Sequence, residues 1–376
     1  MRLNLFVFLF VSLIGCTDKQ SYEVKKVVVD KEKNQWFMPQ EAGWLAGDVA
    51  HSIQLDSSRI LWIFGDTWPG TFTDGELNPE PLYIHNSIAI QSIDKSRGSK
   101  FEFIFGKFDE GRSFFPQVEN MPGKYLWPTN GLILNNELYI FCQAVSHDET
   151  GWFGIAGTVL IRVQNFQENP TKWIKEYFDF RTPAWKDNTL QVQYHSALFQ
   201  QDEYIYLMGF KAEGNSSKKQ AILSRIDTST FINTKSSLYL EHFIGKKSDA
   251  AIWSSDFKDA MVLFQPGNTE SNIQYISEWG LFITTTYSAV DNKILMTYAN
   301  DLTGPWAEPE VVYENPIINC PEKVCIETYA VRPHPEFSRS VGEIIISYIT
   351  SYTGDYKNAH LESYRPRFIR VFLSKK

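Results

Sequence analysis

One phrase recurs five times along this chain and limits what it can fold into. A polar or small residue opens a short apolar strand, a turn follows, and a denser strand rich in β-branched and aromatic residues answers it. The copies are HSIQLDSSRILWIFGD (51–66), NGLILNNELYIFCQ (130–143), HSALFQQDEYIYLMGF (195–210), WGLFITTTYSAVDNKILMTYAND (279–301) and HPEFSRSVGEIIISYIT (334–350). Their dense strands begin near Leu61, Leu138, Tyr204, Ile294 and Ile344, giving units of roughly 70 residues with room for four strands and long loops. No long amphipathic helix interrupts them. Irregular repeats of short strands predict an all-β chain folded as one five-bladed β-propeller domain, with a pair of β-sandwiches as the alternative. Dense stretches such as Ile60 to Phe64 lack polar alternation, as expected of strands packed on both faces. The tail Arg367 to Leu373 reads as a closing strand that completes a blade.

The N-terminus carries a different signal. Met1-Arg2 precedes an apolar run from Leu3 to Ile14 that is too short to span a bilayer, and Gly15-Cys16 follows. Leu13-Ile14-Gly15-Cys16 resembles the lipobox of bacterial lipoproteins. The expected organisation is a signal peptide over 1–15, a lipidated Cys16 with a polar tether over 16–35, and the propeller domain over 36–376. The chain would then be exported and held by lipid at the periplasmic or cell-surface face of a bacterial outer membrane, touching the membrane through that anchor only, as a monomer. A net charge of −8 with scattered Lys and Arg argues against nucleic acid as a partner. In an exported chain, Cys320-Pro-Glu-Lys-Val-Cys325 reads as a small disulfide loop rather than half of a metal site, because no second pair of soft ligands lies nearby. Cys142, inside an apolar run, reads as a buried thiol.

The first copy holds the strongest chemical constellation. Asp48 precedes its first strand, and Asp66 follows its dense strand in Phe64-Gly65-Asp66-Thr67-Trp68. If Asp56-Ser57-Ser58 is a three-residue loop, paired residue numbers sum to 114 and Asp48 faces Asp66, with Cβ atoms roughly 4.5–5.5 Å apart. A two-residue loop would put the two on opposite faces. Two carboxylates held together, one of them protonated, suit glycoside hydrolysis. The competing role for each is local: Asp66 capping the Gly-Asp-Thr turn, and Asp48 doing likewise before its strand.

AGDVAHSIQLDSSRILWIFGDTW and HNSIAI (85–90) resemble the opening of a bacterial group, domain of unknown function 4185, and of its relative 5005. Trp-Pro-Thr-Asn-Gly (127–131), Asn300-Asp-Leu-Thr-Gly-Pro-Trp306 and Tyr329…His334-Pro335-Glu336 are similar to the same group, so the resemblance spans most of 36–373. It implies a five-bladed propeller related to glycosidases acting on arabinan, fructan and mannoside. It also implies a catalytic pair at Asp48 and Asp66, and, for some members, endo-hydrolysis of D-arabinan.

Further candidates line the expected funnel. His51, Asn130 and His195 stand at equivalent strand starts, as substrate contacts or as local hydrogen-bonding groups. Glu278, beside Trp279, is the expected third carboxylate. Trp68 and Trp127 could stack on sugar rings or fill the core, and Asn86, Tyr329 and His334 complete the set of substrate-binding candidates. Seven scattered His residues lack the spacing of a zinc enzyme. No cofactor is expected, although oxygen ligands from several blades could gather a calcium ion on the axis. The rival to a hydrolase is a non-catalytic surface glycan-binding lipoprotein. A lyase using His51 or Tyr194 as base is a third reading.

Overall fold

The computed structural model describes residues 22–376 apart from 81–82, 95–97, 108–111, 148–152, 185–189, 214–217, 289–290, 317–324 and 354–362. The expected lipidation at Cys16 and the Cys320–Cys325 pairing lie outside the described residues.

After β1 (Tyr22–Val29) and β2 (Ala42–Gly47), sheet I takes β3 (His51–Gln54), β4 (Arg59–Phe64), β7 (Ser87–Asp94) and β8 (Gly98–Ile104). Between β4 and β7 the chain leaves to form β5 (Thr67–Thr73) and β6 (Glu76–Pro79), which join β2 in a small sheet of their own. Sheet II runs β9 (Tyr125–Leu134), β10 (Glu137–His147), β11 (Phe153–Val163), β12 (Lys175–Asp179). Sheet III runs β13 (Leu190–Gln201), β14 (Tyr204–Glu213), β15 (Gln220–Asp227), β16 (Glu241–Lys247), β17 (Ala250–Ser254). Sheet IV runs β18 (Ile273–Ile276), β19 (Leu281–Ser288), β20 (Lys293–Ala299), β21 (Glu310–Glu314). Sheet V is β22 (Cys325–Pro333), β23 (Glu343–Thr353) and β24 (Arg367–Lys375), with β1 as its outer strand. All pairings are antiparallel, and the fold is all-β.

The dense strands are apolar on both sides because each faces two neighbouring sheets. From β4, Leu61 and Ile63 pack with Ile140 and Ile161 of sheet II, while Ile60, Trp62 and Phe64 pack with Ile345 and Phe368 of sheet V. Phe141 and Leu160 of sheet II meet Ile205 and Leu207 of sheet III, and Met208 and Leu223 meet Phe282 of sheet IV. Ile283 and Met296 then meet Ile344 and Ile369 of sheet V. Each fully buried large side chain in these layers contributes about 1.5–3 kcal/mol of transfer free energy. Cys142 belongs to the layer between sheets I and II as a fully buried free thiol.

Two expectations need correction. Residues 22–29 are not tether. Tyr22, Val24 and Val27 pack on sheet V while Lys25 and Lys26 face outward, so β1 is an edge strand whose lysines protect its free side. The fourth copy was framed one strand late: residues 279–301 are β19 and β20, the second and third strands of sheet IV. The first strand, β18, has only four residues and so leaves little pattern to see.

Candidate active site

The turn after β3 has the three-residue form. Asp56 Oδ1 accepts from the backbone N–H groups of Ser58 (2.8 Å) and Arg59 (2.9 Å), and β3–β4 partners sum to 114 from Gln54–Ile60 to His51–Ile63. The register continues past the strand end, where the Asp48 N–H donates to the Asp66 carbonyl at 3.2 Å. Between them Val49 (φ 65°) and Ala50 (φ 51°) are both left-handed. For a β-branched residue that is an outlier, and such strain collects at functional sites. Gly65 is required opposite: a Cβ there would lie 2.4 Å from Asp48 Oδ1 and 2.9 Å from the Val49 side chain.

Asp48 Oδ2 accepts hydrogen bonds from the hydroxyls of Tyr329 (2.8 Å) and Tyr364 (2.7 Å). Its Oδ1 is buried and has no hydrogen-bond partner. Burial, then the neighbouring Asp66 charge, and to a smaller extent Glu270, push its pKa up to about 7 against the pull of the two tyrosines.

Asp66 lies in a different setting, with its side chain 21% exposed. Its Oδ1 accepts from Trp127 Nε1 at 2.8 Å, and His85 Nδ1 lies 3.3 Å away. His85 stacks on Tyr125 at 3.6 Å between ring centroids. Tyr83 stands 5.4 Å from His85 and 5.2 Å from Trp68. Trp68, Tyr83, His85, Tyr125 and Trp127 thus form an aromatic wall beside the carboxylate. A cavity of about 460 Å³ opens along it, lined by His85, Tyr125, Gln117 and Lys124 among others.

The third carboxylate is Glu270, not Glu278. Glu278 is exposed in the turn between β18 and β19, bonded to Ser277. Glu270 is 9% exposed and precedes β18 by three residues, as Asp48 precedes β3. Its charge acts on both Asp48 and Arg332. Framing the fourth repeat from β18 would have found it. Arg332 is fully buried, donates from Nη1 to the Thr129 carbonyl (3.0 Å), and has its pKa drawn down to about 10 by burial.

The other candidates divide. Tyr329 and Trp127 join the acid pair, as do Tyr364 and Tyr125, which the repeats did not mark. His195 is fully buried between Thr129 Oγ1 (2.8 Å) and Thr158 Oγ1 (3.0 Å), with burial lowering its pKa to about 3. Asn130 donates to the carbonyls of Ser196 and Ser271, tying the first strand of sheet II to sheets III and IV. Asn86 bonds the Phe115 and Leu126 backbone. His334 is buried between Ser52 and Ser347. His51 is buried too, and it lines a cavity that runs along β3 with Ser52, Ile53 and Gln54. The first four are structural hydrogen-bonding groups in this fold, His51 is a buried imidazole whose Nδ1 has no partner, and none is a wall of the acid site. His51, Asn130 and His195 hold equivalent repeat positions, but of the three only His51 starts a strand: Asn130 and His195 lie in the middle of β9 and β13, where a packed centre needs their hydrogen bonds. Among the described residues no three His, Cys, Asp or Glu side chains cluster as metal ligands.

Fold and site together define an all-β protein with a carboxylate pair of split character set in an aromatic wall. The chain belongs to the family described as Domain of unknown function (DUF5005), whose pattern matches residues 30–373. No curated protein matches it as a sequence relative. Among solved structures it is similar to a "putative hydrolase" from Bacteroides ovatus, with TM-score 0.69, 18% identity and 94% of each chain covered. It is also similar to an alpha-L-arabinofuranosidase from Lactobacillus brevis, with TM-score 0.50, 10% identity, and 90% of this chain and 93% of that one covered. A GH43_1 enzyme from Xanthomonas citri complexed with xylotriose gives TM-score 0.46 at 10% identity, over 88% and 87% of the two chains. These are likenesses of fold.

Proposed function

We propose that the chain is a glycoside hydrolase whose five sheets are the blades of a propeller, β1 joining the N-terminus to the last blade. The observation that carries this reading is the asymmetry of the acid pair: Asp48, its pKa pushed up to about 7, directly faces the more exposed Asp66. A carboxyl with that pKa can hold a proton at neutral pH and still release it, which is what a general acid needs.

Asp48 gives its proton to the glycosidic oxygen as the bond from that oxygen to the anomeric carbon breaks. A water oxygen bonds to the anomeric carbon, and its surplus proton returns to the carboxylate pair. Asp66, as base or as nucleophile, acts on the other face of the sugar. The anomer first released, read by NMR, distinguishes the two. Tyr329 and Tyr364 position Asp48, Glu270 raises its proton affinity, and the aromatic wall offers faces for sugar rings. The sequence resemblance puts D-arabinan first among substrates. In the same reading the protein is exported and lipid-anchored through Cys16, and acts as a monomer.

The test is product release from D- and L-arabinans, galactans, fructans and mannans by wild type and Asp66→Asn. Release by wild type that falls at least a hundredfold in the variant is expected. No release from any glycan, with the variant binding as wild type does, would transfer the reading to a glycan-binding protein.

A further inference from the structure

Two contiguous cavities share Phe199 and Gln200, the larger of them at the strand ends opposite the acid pair. Asp48 and Glu270 precede the first strands of sheets I and IV and Asp66 follows β4; the larger cavity gathers at the C-terminal ends of β13 and β18, while the smaller runs along β3 and reaches the start of β18 at Asn272 and Ile273. The larger, about 410 Å³, is lined by Phe199, Tyr206, Tyr275 and Phe282, with Gln200 and Asp301. Phe199 and Gln200 also line the smaller, of about 210 Å³, where Gln54, Asn272 and Glu336 meet.

The aromatic residues are arranged as a supported platform. Phe282 holds Phe199 edge-on at 5.3 Å and lies 4.5 Å from Tyr275 between centroids, while Tyr275 stays 44% exposed. An aromatic ring braced from behind and open in front is suited to stack on the apolar face of a sugar. Amides and carboxylates supply acceptors and donors for hydroxyl groups. No Lys or Arg lines either cavity, and His51 is kept uncharged because burial lowers its pKa far below normal. An anionic ligand would find only negative or neutral partners there, which leaves hydroxyl-rich neutral ligands.

We propose that these cavities form a second, non-catalytic site for a neutral glycan, with Tyr275 as its stacking platform. The site does not depend on the hydrolase reading. It would hold a polysaccharide at the mouth of the larger cavity, at the strand ends away from the acid pair.

The test uses the full chain carrying Asp66→Asn, alone and combined with Tyr275→Ala, Tyr275→Phe or Gln200→Ala. Retention by arabinan, xylan, galactan and mannan is measured by affinity electrophoresis, with polygalacturonate as the anionic comparison. Tyr275→Ala should weaken binding of at least one neutral glycan about tenfold. Tyr275→Phe should keep that binding, Gln200→Ala should weaken it less, and polygalacturonate should not be retained. Binding that is indifferent to Tyr275→Ala and Gln200→Ala, absent for every neutral glycan, or stronger for polygalacturonate overturns the proposal. Hydrolysis separates it from the preceding reading. A chain that cleaves nothing yet loses glycan binding with Tyr275→Ala keeps this site and ends the hydrolase, whereas active chain with Tyr275-independent binding does the reverse.

Discussion

Replacing Asp48 by Asn should make the protein more stable and abolish its activity, and the stability gain should depend on pH in a defined way. The fold pushes the Asp48 pKa from the ordinary aspartate value of 3.8 up to about 7. Between those values the folded chain holds a proton that the unfolded chain has released, so stability falls as pH rises through the window and levels off above the folded pKa. A displacement of about three pKa units corresponds to about 4 kcal/mol, present below pH 4 and lost by pH 8. Asn carries no charge at any pH and can still accept from Tyr329 and Tyr364, so the variant escapes that loss. Urea unfolding of both proteins, followed by tryptophan fluorescence at intervals from pH 4 to pH 8, measures the difference directly. Asp48→Asn should match wild type at pH 4 and exceed it by several kcal/mol at pH 8. A difference that stays flat with pH, or an Asn variant weaker at pH 8, would refute the claim that Asp48 is a strained, proton-retaining acid.

Two variants should move the alkaline limb of activity in opposite directions. Tyr364→Phe removes a donor that stabilises the Asp48 carboxylate, so its pKa rises and the limb shifts up by about one unit. Glu270→Gln removes a charge that raises the Asp48 pKa, so the limb shifts down, while Glu278→Gln leaves the profile unchanged; pH–rate profiles of kcat/KM decide both. Gly65→Ala places a Cβ 2.4 Å from Asp48 Oδ1, so activity should fall and stability should drop, checked by assay and urea titration. The expected destabilisation is about 1–3 kcal/mol, and an unchanged variant would remove the steric reason for that glycine.

What the chain itself determined is what depends on near neighbours. The sequence puts Asp48 and Asp66 at the two ends of one hairpin and allows a three-residue loop at Asp56 that brings them opposite each other; the structure chooses that loop and adds the left-handed Val49 and Ala50 that no period-of-two reading contains. The apolar runs of β4, β10 and β23 likewise announce strands covered on both faces, and the burial of Cys142 follows from its run. Tertiary structure decided everything that required distant segments to meet. Tyr329 and Tyr364 reach Asp48 from 281 and 316 residues away, and no local pattern marks a tyrosine for that task. The same holds for β1, whose lysines read as a solvated tether until β24 supplies a partner edge. His195 and Asn130 read as sugar ligands because they recur at equivalent repeat positions, and Asn86 because its segment resembles the family motif, yet a polar residue there must bond to something in any case. In the folded chain the partners are hydroxyls and carbonyls of neighbouring sheets, since burial leaves a polar group no other way to be satisfied. Glu270 was missed because the fourth repeat begins at β18, ahead of residue 279, and only the packing of sheet IV against III and V brings its charge to bear on Asp48.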